Sequence, residues 1–190
     1  MINRKISVCT VALLSALLSA FFGVTAVMAA VTLPSGWYVE GNVGASKAHV
    51  SGFDNTGVGG NVNVGYKFIP YFATEAGFTM YGASTLESDG DTIATIKHNS
   101  YDLVVKGILP ISASGFDLFA KLGWAGVYSS ITGSSVDNSS STANGWYYGL
   151  GGDYSFFPNI AGNIQWARAE GNHSTGYLDL YSIGITYLVG

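Results

Sequence analysis

Cysteine is almost missing from these 190 residues: the one present, Cys9, lies in an apolar N-terminal stretch. A mature chain without that stretch has no disulfide and no zinc site built on thiolates. Basic residues are also few, with eight Lys and Arg against twelve Asp and Glu. No basic stripe is available to meet phosphates, which excludes nucleic acid as a partner. Proline occurs four times. Beyond the N-terminal stretch no continuous apolar run is long enough to cross a bilayer as a helix, so the chain is not a helical membrane protein.

The N-terminal stretch has its own logic. Arg4 and Lys5 precede an apolar, small-residue run that reaches Met28, and Val27-Met28-Ala29 ends in small side chains. This is the pattern of a secretory signal peptide over residues 1–29, cleaved after Ala29, with an uncleaved anchor as the alternative. Cleavage removes Arg4, Lys5 and Cys9, leaving six basic residues against twelve acidic ones in a single domain over residues 30–190.

What is abundant points to strands. There are 26 glycines, 12 tyrosines and 10 phenylalanines, with a positive mean hydropathy. Read with a period of two, the mature chain resolves into eight segments of about ten residues, the length a tilted strand needs to cross a bilayer. The first sets Trp37, Val39, Val43 and Ala45 against Tyr38, Glu40 and Asn42; the second sets Val58, Val62, Val64, Tyr66 and Phe68 against Asn61, Asn63 and Lys67. The other six alternate likewise. Glu40, Lys67, Glu75, Asp102, Lys106, Asp117, Lys121 and Asp153 all fall on the less apolar face, and Asn163 joins them.

A soluble β-sandwich with charges outward gives the same alternation, so the connections must decide. They alternate short and long, as a membrane barrel requires. Short turns fall at Ile69-Pro70, Pro110 to Gly115 and Phe157-Pro158; long polar connections fall at about Ser46 to Gly57, Gly82 to Lys97, Ser129 to Asn144 and Ala169 to Gly176. Aromatic residues collect in two belts, as amphipathic rings do at membrane interfaces. Trp37, Phe68, Phe116 and Phe156 lie near the short turns, and Met80-Tyr81, Trp124, Trp146, Trp166 and Tyr181 lie towards the long connections. The expected fold is all-β, an eight-stranded antiparallel up-and-down transmembrane β-barrel in the bacterial outer membrane, with both termini in the periplasm.

Several segments resemble the transmembrane domain of the outer membrane protein A family. They are Gly36-Trp37-Tyr38, Gly65-Tyr66-Lys67-Phe68-Ile69-Pro70-Tyr71 through Glu75 and Gly77, Lys106 before Leu109-Pro110, Phe119-Ala120-Lys121-Leu122-Gly123, and Gly151-Gly152-Asp153-Tyr154 before Pro158. The resemblance covers nearly the whole mature chain. It implies a charged interior network containing Glu75, Lys106, Lys121 and Asp153, and a role in adhesion. Where the family can have an arginine near the start of strand seven, this chain has Asn163, which leaves Lys106 or Lys121 to meet Glu75.

Eight strands enclose a space just wide enough for side chains to fill. The expected function is therefore a plugged barrel that stabilises the outer membrane and presents four surface loops, with no catalytic residue, cofactor or metal. Its partners would be outer-membrane lipid, including lipopolysaccharide, and host surface molecules or phage at the loops. A narrow ion-conducting pore is one alternative. Another is a lipid-modifying barrel enzyme, for which His173-Ser174 with Glu170 or Asp179 is the only candidate; a rim salt bridge between Arg168 and Asp179 accounts for that region as well. His49, His98 and His173 read as three solvated loop histidines, and Glu87, Asp89 and Asp91 as a solvated acidic loop.

Overall fold

The computed structural model describes residues 34–50, 53–82, 84–88, 91–111, 115–133, 139–171 and 175–189. Residues 1–29, expected to be a signal peptide, and His173, Ser174 and Asp89 lie outside the described residues. Nine strands form among the described residues: β1 (Gly36–Val50), β2 (Phe53–Ile69), β3 (Phe72–Met80), β4 (Ser84–Ser88), β5 (Asp91–Ile111), β6 (Phe116–Gly133), β7 (Ser139–Phe157), β8 (Ile160–Glu170) and β9 (Tyr177–Val189). Each pairs antiparallel with its sequence neighbour, except that β3 pairs across β4 with β5, and β1 also pairs with β9. The ladder returns on itself, and the sheet is a closed barrel.

Nine strands make eight staves. β3 and β4 are two parts of the third stave, interrupted at Tyr81–Gly82, and both pair with β5. The difference from the sequence reading arises in the polar connections, which are largely strand. β1 and β2 stay paired from Ser46↔Gly57 to Val50↔Phe53, β4 and β5 from Ser84↔Ile96 to Ser88↔Asp91, and β6 and β7 out to Ile131↔Ser139. Ser, Thr, Asn and Gly there mark where the run of apolar outward residues ends. They do not report loss of pairing, because a ladder already running satisfies each further backbone group at little cost.

The short ends are tight. Lys67↔Ala73 and Ile69↔Phe72 leave Pro70 and Tyr71 as the β2–β3 turn, where proline has no ladder bond to lose. Gly115, at φ +74°, enters β6 in the left-handed region that glycine occupies without steric cost.

Alternation then sorts the side chains. Val62, Leu103, Leu150 and Ile185 face outward, with Ile185 61% exposed, whereas Glu40, on the opposite parity, is 0% exposed. The polar side is inside and the apolar side outside, the reverse of a soluble sandwich.

Candidate functional site

Four staves deliver the centre of the interior. Glu40 comes from β1, Glu75 from β3, Lys106 from β5 and Lys121 from β6, each at an inward position of its strand. Lys121 Nζ lies 3.0 Å from Glu40 Oε1 and 2.7 Å from Glu75 Oε2. Lys106 Nζ lies 3.4 Å from Glu40 Oε2, 3.3 Å from Glu75 Oε1 and 3.3 Å from Asp153 Oδ2. Each ammonium therefore bridges both glutamates. All four are almost fully buried, and such charges persist only where opposite charges and hydrogen bonds replace water.

Neutral groups complete the shell. Glu40 Oε1 accepts hydrogen bonds from Asn42 Nδ2 at 2.8 Å and Asn63 Nδ2 at 3.0 Å, and the Tyr38 hydroxyl donates to Glu75 Oε1 at 2.7 Å. Asn42 also donates to Asn61 Oδ1 at 2.6 Å. The Lys106 ammonium stands 4.1 Å from the Phe119 ring centre, a cation–π contact in a dry setting. The Tyr38 ring lies over Gly65 so closely that a Cβ there would collide with it. Glycine on the inner face is thus what lets the tyrosine lie across β2 and reach Glu75 on β3.

The remaining residues expected in this network stand around it. Asp153 touches Lys106. Lys67 and Asp117 are buried nearer the short turns, where Lys67 feels the charges of Asp117 and Asp153. Asp102 is buried on the other side of the quartet, and its Oδ2 has no hydrogen-bond partner. Asn163 donates to Thr186 Oγ1 at 3.4 Å.

Two apolar layers enclose the charges. Tyr38, Ala73, Ile108, Phe119 and Leu188 pack together towards the short turns. Towards the hairpins, Tyr81, Val104, Val127, Tyr147, Leu178 and Leu180 form the other cluster.

Several residues escaped the sequence reading. Asn42, Asn63 and Thr186 line the quartet, and their inward parity was the only signal for them. His98 is not a solvated loop histidine. It is 3% exposed, because β5 extends past it with the inward parity of Ser100 and Asp102. Tyr81 likewise leaves the outer belt: it follows the parity of Thr79 inward and sits 3.2 Å from Ser100 Oγ. Of the other belt residues, Trp37, Phe68, Phe116 and Phe156 are exposed near the short turns, and Trp124, Trp146 and Tyr181 are exposed towards the hairpins. Trp166 is half-buried, and its Nε1 donates to Asp179 Oδ1 at 3.2 Å.

A closed antiparallel barrel with an apolar outer wall, aromatic residues near both rims and charges inside defines a transmembrane barrel of the bacterial outer membrane. The chain belongs to the outer membrane protein beta-barrel domain family, whose sequence model matches residues 14–187. The fold is similar to the crystal structure of Neisserial surface protein A from Neisseria, at 17% identity and a TM-score of 0.68, covering 82% of this chain and 98% of that one. It is also similar to Ail, the attachment invasion locus protein of Yersinia pestis, in complex with the heparin analogue sucrose octasulfate (14% identity, TM-score 0.61, 80% and 97% covered). OprG from Pseudomonas aeruginosa is a third (11% identity, TM-score 0.58, 84% and 100% covered). Identities this low carry the fold alone. No curated protein sequence matches the chain.

Proposed function

We propose that this protein is a plugged surface barrel: it stabilises the outer membrane and presents its hairpins for interaction with host surfaces, other cells or phage, without conducting solutes or transforming lipid. The observation that carries this reading is the filling of the lumen. Two apolar layers lie on either side of a quartet in which every charge has at least two opposite neighbours. Eight strands leave little width beyond what such side chains occupy. The charges act as internal struts that join β1, β3, β5 and β6 across the lumen.

The long hairpins are the part available to partners. In this reading residues 1–29 are removed, the short turns and both termini face the periplasm, and the four hairpins point outward. Ail, a fold neighbour, has been crystallised with a heparin analogue, which supports polyanionic host glycans as one class to test. The lipid-modifying reading has little support in the residues around its candidate pair. Asp179 is engaged by Arg168 through two hydrogen bonds of 2.7 Å, and Glu170 accepts from the Tyr148 hydroxyl at 2.9 Å. Both carboxylates are thus engaged by side chains other than the candidate histidine.

The test is conductance of the single purified barrel in a planar bilayer. The expected current equals that of the lipid control. Steps above that control would overturn the plug and make the interior a narrow ion path.

A further inference from the structure

Three inward positions on adjacent strands fall in one register row: Asn63 on β2, Gly77 on β3 and Asp102 on β5. The middle position has no side chain, and its two neighbours lean over it. A Cβ built on Gly77 would collide with Asn63 Oδ1 and lie 2.8 Å from each Asp102 oxygen. Three oxygens therefore converge on the lumen side of Gly77. Asn63 is 2% exposed and Asp102 6% exposed, and Asp102 Oδ2 has no hydrogen-bond partner.

Oxygen facing oxygen in a buried setting requires a positive centre between them. Asn63 Nδ2 donates to Glu40 Oε1 at 3.0 Å, which turns the carbonyl oxygen of the same amide towards Asp102. Turning the amide over would bring Nδ2 to Asp102 and set Oδ1 against Glu40 instead. One amide between two carboxylates leaves one of them facing an oxygen in either orientation. The ion pairs of the two central lysines do not relieve this contact, because they go to Glu40, Glu75 and Asp153.

The charge of the interior points the same way. Among the described residues the buried inward carboxylates are Glu40, Glu75, Asp102, Asp117 and Asp153, five against the three ammonium groups of Lys67, Lys106 and Lys121. The quartet is balanced in itself, Lys67 feels Asp117, and Asp153 shares Lys106. Asp102 is the carboxylate left over. A buried carboxylate without a compensating charge or donor is costly.

We infer that Asp102 and Asn63 hold a small monovalent cation, of the size of sodium, in the notch that Gly77 leaves in the inner wall. The carboxylate of Asp102 and the carbonyl oxygen of Asn63 are its protein ligands. One carboxylate matches one positive charge, whereas calcium gathers more oxygens and more negative charge than the notch presents. A proton on Asp102 would bridge one pair of oxygens and leave the second Asp102 oxygen without a partner; a cation meets all three. The ion ties β2 to β5 across β3. This site goes beyond the plugged-barrel reading and does not depend on what the hairpins meet.

The experiment follows urea unfolding and refolding of the purified mature barrel by the gel shift, with sodium chloride replacing choline chloride at constant total salt. Raising sodium from about 1 mM to about 100 mM is expected to raise the folded-to-unfolded ratio about tenfold, as for one site with a dissociation constant of about 10 mM. Asp102→Asn keeps the shape of the side chain and removes its charge, and is expected to bring the dependence below about twofold, against about tenfold for the intact site. Gly77→Ala fills the notch while keeping Asp102, and is expected to lose the dependence in the same way. Equal stability of the parent in sodium and in choline would overturn the site, whether or not a variant folds. So would a sodium dependence that survives in Asp102→Asn, or a response to calcium chloride in place of sodium. A parent indifferent to sodium whose stability falls as pH rises, with the trend absent in Asp102→Asn, would put a proton there instead. Conductance on the same preparation separates the two readings, since a conducting barrel that keeps its sodium-dependent stability loses its plug and keeps this site.

Discussion

Lys121 sits between Glu40 and Glu75 and is almost fully buried, so its replacement leaves two buried carboxylates to share Lys106 alone. Breaking a buried pair costs about 3–5 kcal/mol, mostly from the charge left behind. Lys121→Met is expected to lower the stability of the barrel by that order, read as the denaturant midpoint of the gel shift. Adding Glu75→Gln to Lys121→Met is expected to recover a substantial part of the loss, because one stranded charge disappears. A double variant no more stable than the single one would mean that the quartet is not coupled. The sequence told inward from outward at these residues through parity alone. It left open whether Lys106 or Lys121 meets Glu75, and in the structure both do, since β5 and β6 are adjacent and Lys106 and Lys121 are direct register partners.

At the level of elements, the long hairpins separate from the wall. β3 and β5 pair from Phe72↔Gly107 to Met80↔Asn99, which closes the barrel before β4 begins. β4 pairs with β5 alone. Replacing residues 84–96 by a two-residue turn is therefore expected to leave a folded, heat-modifiable barrel, and loss of the shift would show that the β4–β5 ladder is needed for closure. The sequence marked this region as polar connection, and its polarity was read correctly. Its pairing was not, because alternation signals a strand only where one face is apolar. Beyond the apolar wall the outward residues are polar as well, and the apolar–polar period of two weakens while the ladder continues. His98 was misread for the same reason: its place on an extended β5 follows from pairing with Ser129, not from local composition.

For the whole molecule, the apolar wall requires lipid as its solvent. Ile185 lies on β9 between Tyr181 and Tyr187 and faces outward. Ile185→Arg is expected to cost about 2–4 kcal/mol in lipid vesicles, the range for a basic residue near the bilayer midplane. An unchanged denaturant midpoint in vesicles would argue that this wall does not meet hydrocarbon. Closure also explains why a 190-residue chain with so few basic residues and no stabilising thiol holds together: every stave has two hydrogen-bonding neighbours, so no edge is left in the membrane.

The sequence by itself determined the fold class, the two faces of each stave and the inward parity of Glu40, Glu75, Lys106, Lys121 and Asp153, because a period of two is local and survives without knowledge of any partner. Only the tertiary structure decided which charges meet, that Tyr38 crosses over Gly65 to reach Glu75, and that Arg168, Asp179 and Lys47 share one row at the outer rim. Apart from the Arg168–Asp179 pair within one hairpin, those contacts join strands far apart in the chain, and closing the barrel with a particular register is what sets them opposite one another.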